Sequence, residues 1–197
     1  KAEFAQFMGE FSNAFSQLKK KGHLTIKQKG LEADDLAAWI VGKKKEFGIG
    51  EIWLISSDRD WDLLIQDGVS RFSTVTRKEI TVDNWEDHYE VEPDKYLTLK
   101  CLAGDTGDNI PGIAGIGPKR AVGLINEYGD LYDIYDSCPI DSKYKFIQSL
   151  NENVERLLLN AELMDLESYS EQALIEADMN LEDLSSQITG YLNENRD

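Results

Sequence analysis

Hydrophobic positions recur at helical spacing from the start of the chain. In "EFAQFMGEFSNAFSQL" (residues 3–18), Phe4, Phe7, Met8, Phe11, Phe15 and Leu18 share one face. This predicts an amphipathic helix that packs on the core. "HLTIKQ" (23–28) alternates apolar and polar residues and predicts a short strand. Leu36, Ala37, Ile40 and Val41 mark one face of a second helix within 33–47. "EIWLIS" (51–56) is a continuous apolar run of strand length, as a buried central strand requires. "GVSRFSTV" and "EITV" predict further strands joined by the polar turn "TRK". Beyond them the pattern turns helical, over 93–103, 118–128, 141–150 and 152–164, with breaks at Gly129 and Pro139. Leu181, Leu184, Ile188 and Leu192 predict a final helix. Alternating strands and helices followed by helices alone predict an α/β fold with a central sheet and a mostly helical second half.

The length of 197 residues suits one large domain or a core with an appended subdomain. No apolar run approaches the ~18 residues of a membrane span, so no membrane partner is expected. Two cysteines, Cys101 and Cys138, make no disulfide framework; they read as small buried side chains in a reducing, cytoplasmic setting. The net charge of −16 argues at first against nucleic acid, whose binding is driven by cations that neutralise phosphates. The distribution changes that picture. Residues 151–197 hold twelve acids and two bases, whereas "LKKKGHLTIKQKG" holds five lysines and no acid. Acidity concentrated at one end leaves a nucleic-acid partner open.

Three acidic clusters carry the candidate chemistry. "GLEADDLA" sets Glu32, Asp34 and Asp35 at the start of the second helix. Helix capping accounts for one such acid, and three in four residues exceed what a cap needs. "SSDRDWD" sends Asp58 and Asp60 off the carboxyl end of the apolar strand, where open α/β sheets form their ligand crevices. Asp62 falls in the following helical turn and is not expected to be a ligand. "GDTGDN" supplies Asp105 and Asp108 between glycines. Solvated turns and Asx loops explain each of the last two clusters taken alone. Convergence of seven carboxylates would oppose folding, because two unit charges 4 Å apart repel by about 4 kcal/mol at an effective dielectric of 20. Cations must then compensate. Oxygen donors without companion histidine or cysteine suit two Mg²⁺ or Mn²⁺ ions, the apparatus of phosphodiester hydrolysis. His23 and His88 stand in none of the clusters.

"IPGIAGIGPKRA" spaces glycines at 112, 115 and 117 and then places Pro118 at a helix N1 position, followed by Lys119 and Arg120. A tight turn opening a helix with two cations suits an anion, although a plain helix-connecting turn explains it equally well alone.

"GLEADDLA", "LISSDRDWDLL" and "LAGDTGDNIPGIAGIGPKRA", in this order, closely resemble the 5′-nuclease family: flap endonucleases and the 5′–3′ exonuclease domains of DNA polymerases. "VSRFSTVTRKEITV" is most similar to the stand-alone bacteriophage branch, and the likeness covers residues 1–170. The resemblance implies a PIN-like 5′-nuclease core with a central, mostly parallel sheet over residues 1–100, a helix–hairpin–helix subdomain over 101–150, and an acidic helical segment over 151–197 packing back on the core. It implies that Glu32 and Asp34 lie near a first metal, with Asp35 beside them, and that Asp58, Asp60, Asp105 and Asp108 serve a second. It further implies that Gly112, Gly115, Gly117, Lys119 and Arg120 form a hairpin gripping duplex phosphates, with K⁺ as a candidate ion there. The expected partner is DNA carrying a 5′ flap, branch or nick, and the expected state is a monomer. Family members carry an earlier strand with a metal-binding aspartate and a basic arch. This sequence starts near the end of the arch, so it reads either as a fragment or as a subunit whose partner, an N-terminal half or a polymerase, completes the site. The alternative function is a non-catalytic duplex-DNA-binding module whose acids are structural.

Overall fold

The computed structural model describes residues 2–195. Helix α1 (Ala2–Lys20) has no proline and no β-branched residue, closes on Lys19 and Lys20, and gives way to Gly22 at φ +85°. Helix α2 (Ala33–Gly42) follows, then strand β1 (Ile52–Ile55), a 3₁₀ turn over Asp60–Leu64, β2 (Val69–Phe72) and β3 (Glu79–Ile80). The sheet order is β1-β2-β3, with β1 parallel to β2 and β2 antiparallel to β3. Helix α3 (Tyr96–Ala103) leads into a two-stranded ribbon, β4 (Gly104–Asp105) and β5 (Ile110–Pro111). Six helices complete the described residues: α4 (Pro118–Tyr128), α5 (Leu131–Ser137), α6 (Lys145–Glu152), α7 (Glu155–Met164), α8 (Leu166–Glu176) and α9 (Leu181–Glu194).

Helix α2 is buried on two sides. Ala37, Ala38 and Val41 pack with Leu54, Leu64 and Val69 of the sheet layer. Trp39 turns the other way, to Phe47, Leu174, Leu184 and Ile188, so α8 and α9 cover its back. The largest apolar cluster lies in the second half. There Cys101 and Leu102 of α3 meet Leu124 and Ile125 of α4, Ile134 of α5, Leu150 of α6, and Leu157 and Met164 of α7. Burial pushes the Cys101 thiol up to about 12, which makes it an inert packing group. Helix α5 opens on a reciprocal capping box between Asp130 and Asp133.

Three sequence expectations change. The N-terminal helix forms, but it does not pack on the core. Phe4, Phe7 and Leu18 are 69%, 60% and 47% exposed, and the aromatic stripe stacks on itself through Phe7, Phe11 and Phe15. Residues 23–28 form no strand. Leu24 and Ile26 are drawn against the Trp39 cluster by their side chains, and Gln28 donates to the Ala177 carbonyl instead of to a sheet partner. The 51–56 run is a strand, yet only one face is buried: Leu54 is inside while Trp53 and Ile55 face out. Among the described residues Leu54 packs with Ala37, Ala38 and Val41 of α2, and no layer covers the face that carries Trp53 and Ile55.

A single buried side chain ties the acidic ribbon to the helical cluster. Asn160 of α7 donates from Nδ2 to the carbonyls of Cys101 (2.9 Å) and Pro111 (3.0 Å), fixing both ends of the 104–111 loop. Asn160→Leu leaves these carbonyls unpaired, and each buried orphan costs about 1–3 kcal/mol. We expect a fall in the urea midpoint at unchanged slope; an unaltered midpoint would remove Asn160 from this role.

Candidate metal centre beside a glycine hairpin

The first acidic group sits at the front of α2, which the core holds from both sides. Glu32 occupies the N-cap position in extended conformation and makes no capping hydrogen bond through its side chain. Asp34 Oδ1 accepts from the Asp35 N–H at 3.0 Å. Carboxylate oxygens of Glu32, Asp34 and Asp35 lie within 4.8 Å of one another. Simple capping therefore leaves Glu32 without a structural task.

The second group draws on two distant segments. Asp60 starts the turn after β1, and Asp105 and Asp108 come from the ribbon after α3; their oxygens also lie within 4.8 Å of one another. Asp58 stands outside both groups. Its Oδ1 accepts from the Asp60 N–H at 3.0 Å, and its own N–H donates to Ser56 Oγ at 3.2 Å. The ribbon is itself organised by Asp105, whose Oδ1 takes the Gly107 N–H at 2.8 Å.

The electrostatics join these groups into one field. Glu32 is raised above the ordinary carboxylate value, chiefly by Asp34, then by burial and by Asp35, Asp108 and Asp58. Glu32 thus feels acids from all three sequence clusters. Asp35 is raised by burial and then by Asp34. Asp108 is raised, mainly by its side-chain hydrogen bond with Asp60. Asp105 alone is lowered, because Lys100 donates to it. The Lys100 ammonium is buried in α3 between two of these acids, bonded to Asp60 and, at 2.8 Å, to Asp105. Burial works against its charge, yet Asp105 and Asp60 outweigh that and hold it above the ordinary lysine value. One buried cation thus pairs with two of the seven acids, and the charge left over is what divalent ions would neutralise. Hard oxygen donors at this density fit Mg²⁺ or Mn²⁺.

The glycines behind this site divide by task. Gly104, at φ +78°, and half-buried Gly112 interlock where the ribbon closes: a Cβ on either would overlap the other's backbone neighbours. Gly115, at φ +81°, makes the turn into α4, and Gly117 is the N-cap, with Pro118 at N1. The two following cations also differ. Arg120 folds back, with Nη1 donating to the Gly115 carbonyl and its guanidinium 4.6 Å from the Phe146 ring centroid. Lys119 is exposed and makes no ion pair among the described residues. A groove of about 670 Å³ connects acids to hairpin, lined by Arg59, Asp60, His88, Lys100, Asp105 and Lys119.

Sequence reasoning missed Lys100 and the pair Asp62–Arg71. Lys100 had a signal: it lies in the helix that ends at Gly104, five residues before Asp105. Asp62, expected not to be a ligand, is fully buried against Arg71 of β2, a partnership no local spacing announces.

Residues 91–188 match the family described as "5′-3′ exonuclease, C-terminal SAM fold". The flap endonuclease of Escherichia phage T5 is 42% identical over 177 residues, which are 88% of this chain and 60% of that protein. A 5′-3′ exonuclease of Buchnera aphidicola (subsp. Acyrthosiphon pisum) is 31% identical over 155 residues, 76% of this chain and 54% of the relative. The crystal structure of a T5 protein co-crystallised with metal ions superposes with a TM-score of 0.84 at 39% identity, covering 98% of this chain and 70% of that one. A T5 flap endonuclease in a pseudo-enzyme–product complex with DNA and metal ions gives 0.83 at 39% identity, with the same coverage of 98% and 70%. The chain spans about 60% of the T5 flap endonuclease and 54% of the Buchnera exonuclease. The acidic motifs and the glycine turn thus sit on a shared fold, and the chain belongs to the 5′-nuclease family of flap endonucleases and 5′–3′ exonucleases.

Proposed function

We propose that this chain provides the metal centre and duplex grip of a divalent-metal-dependent 5′ nuclease that hydrolyses DNA phosphodiesters at a 5′ flap, branch or nick. The observation that carries this reading is the groove: one surface runs from Asp60 and Asp105 to Pro118 and Lys119. A strand lying in it meets the acids at one phosphate and the hairpin at another.

Glu32, Asp34 and Asp35 would hold one ion, and Asp60, Asp105 and Asp108 the other, with Asp58 serving the second group. Ions held by these residues would supply a lowered pKa for water and neutralisation of phosphate charge. The chain's own part is placement. Helix α2 and the ribbon fix the two groups on separate elements, and Lys100 keeps Asp60 and Asp105 together while Asp105 stays ionised. The exposed Lys119 ammonium suits a phosphate, whereas Arg120 braces the turn that presents it. The T5 relatives crystallised with metal ions and with DNA support both halves of the reading.

Cleavage of a 5′-labelled flap duplex, with Mg²⁺ and with EDTA, tests the proposal directly. Metal-dependent release of a short labelled product is expected, and Asp60→Asn is expected to reduce it by more than about 100-fold. Duplex binding with no cleavage would mean that the site is completed by residues or a partner outside this chain, or that the chain is a binding module.

The raised carboxyls make a pH prediction for the metal-free protein. Glu32, Asp35 and Asp108 are held above their ordinary values. Their contribution to stability is therefore present below the ordinary carboxylate range and lost as pH rises through the raised folded values. Asp105 has the opposite sign: its contribution is present above its ordinary value and lost as pH falls through the lowered one. Mn²⁺ binding relieves the first three only when they are ionised. The thermal shift on adding Mn²⁺ should therefore be larger at pH 7.5 than at pH 5, with about 2.7 kcal/mol expected at a hundredfold excess over Kd. An equal shift at both pH values would argue against binding at these acids.

Lys119→Ala is expected to weaken duplex binding about equally for all sequences and to reduce the salt slope by about one contact. Arg120→Ala should act on the turn, lowering thermal stability as well as affinity. Identical behaviour of the two variants would contradict this division.

A further inference from the structure

We propose that the buried Asp62–Arg71 pair, closed by Tyr89, is a positioning clamp that sets Asp58 and Asp60 for metal binding. The inference rests on the reading of those acids as metal ligands. Arg71 lies in β2, opposite Leu54 of β1, and its side chain reaches the loop that leaves β1. Its guanidinium reaches both ends of that loop. Nη1 donates to the Ser56 carbonyl at 2.9 Å, two residues before Asp58. Nε and Nη2 donate to the two Asp62 oxygens, the latter at 2.8 Å, two residues after Asp60. The loop carrying both candidate ligands is thus held at each end by one rigid planar cation.

The surroundings complete the clamp. Tyr89 donates its hydroxyl to Asp62 Oδ2, and its ring packs between Trp85 and Tyr96, with centroids at 4.4 and 4.5 Å. The Ser56 N–H is tied to the Phe72 carbonyl at 3.2 Å, and Ser73 Oγ donates to Ser57 Oγ at 3.4 Å. Asp62 and Arg71 are 1% and 4% exposed, so neither takes part in surface charge balance.

Stability alone does not explain such a pair. Desolvating two charges is costly, and well-packed apolar side chains of similar volume often serve as well or better. An apolar pair has no donors for Ser56 and no forked geometry to set the span to Asp62. Lysine shares the charge of Arg71 but not its planar, two-directional donation. Groups that orient metal ligands from behind commonly change metal affinity by about 10–100-fold when removed.

The test compares wild type, Arg71→Lys, the double variant Asp62→Leu with Arg71→Met, and Tyr89→Phe. Each is measured for thermal stability and for Mn²⁺ affinity by calorimetry, without substrate. The double variant should stay folded, with a melting temperature within about 4 °C of wild type, and should bind Mn²⁺ at least about 10-fold more weakly. Arg71→Lys should lose Mn²⁺ affinity despite keeping the charge. A folded double variant with wild-type Mn²⁺ affinity overturns the clamp. If the double variant does not fold, Tyr89→Phe decides, because it removes one hydroxyl and keeps the ring: a severalfold loss of Mn²⁺ affinity supports the proposal, and unchanged affinity overturns it. Failure of the underlying reading looks different, since wild type itself would then bind no Mn²⁺ at the acids.

Discussion

Carboxylates do not gather by themselves. Two groups of three acids, each with oxygens inside 4.8 Å, have to be held by forces stronger than their repulsion. The fold supplies these forces outside the groups. Helix α2 is clamped between the sheet and α8–α9, so its acidic front has a fixed place whatever its charge. The ribbon is anchored by Asn160 and by the interlocked Gly104 and Gly112. The loop after β1 is gripped by Arg71. Lys100 is the single cation bonded within the groups among the described residues, and it reaches only Asp60 and Asp105. Apolar burial thus stabilises a charge arrangement that, without bound cations, opposes folding.

That arrangement gives the groove its polarity. Asp60 and Asp105 share its lining with Pro118 and Lys119 of the hairpin and with His88 and Arg59. A net charge of −16 is compatible with a polyanionic partner on this arrangement because the acids facing it are metal sites on the proposed reading, while much of the remaining excess sits beyond residue 150. The two adjacent cations of the hairpin also separate by role. Arg120 is consumed in holding Gly115 and stacking on Phe146, which leaves Lys119 to face outward.

Much of this was legible in the sequence, for identifiable reasons. Helical periodicity placed α4 and α7 well, and the acids stood out because each cluster lies at an element's end beside apolar segments. What failed depended on tertiary partners. The Phe4–Leu18 stripe has the pattern of a packed helix, and no local feature says whether a surface meets it. Apolar Trp53 and Ile55 suggested two buried faces, but among the described residues only the Leu54 face of β1 meets a packed layer. Residues 23–28 alternate because their side chains dock, not because their backbone pairs. Lys100 and Arg71 were missed for a related reason. Their acidic partners are 40 and 9 residues away for the Asp60 and Asp62 contacts, and the pairing exists only once α3 and β2 are in place.

On the proposed reading the two carboxylate groups are divalent-metal sites. Anomalous diffraction from crystals grown with Mn²⁺ tests it most directly. Peaks are expected within coordination distance of Asp60, Asp105 and Asp108, and of Glu32, Asp34 and Asp35. Full occupancy of Mn²⁺ elsewhere, with neither group bound, would contradict it.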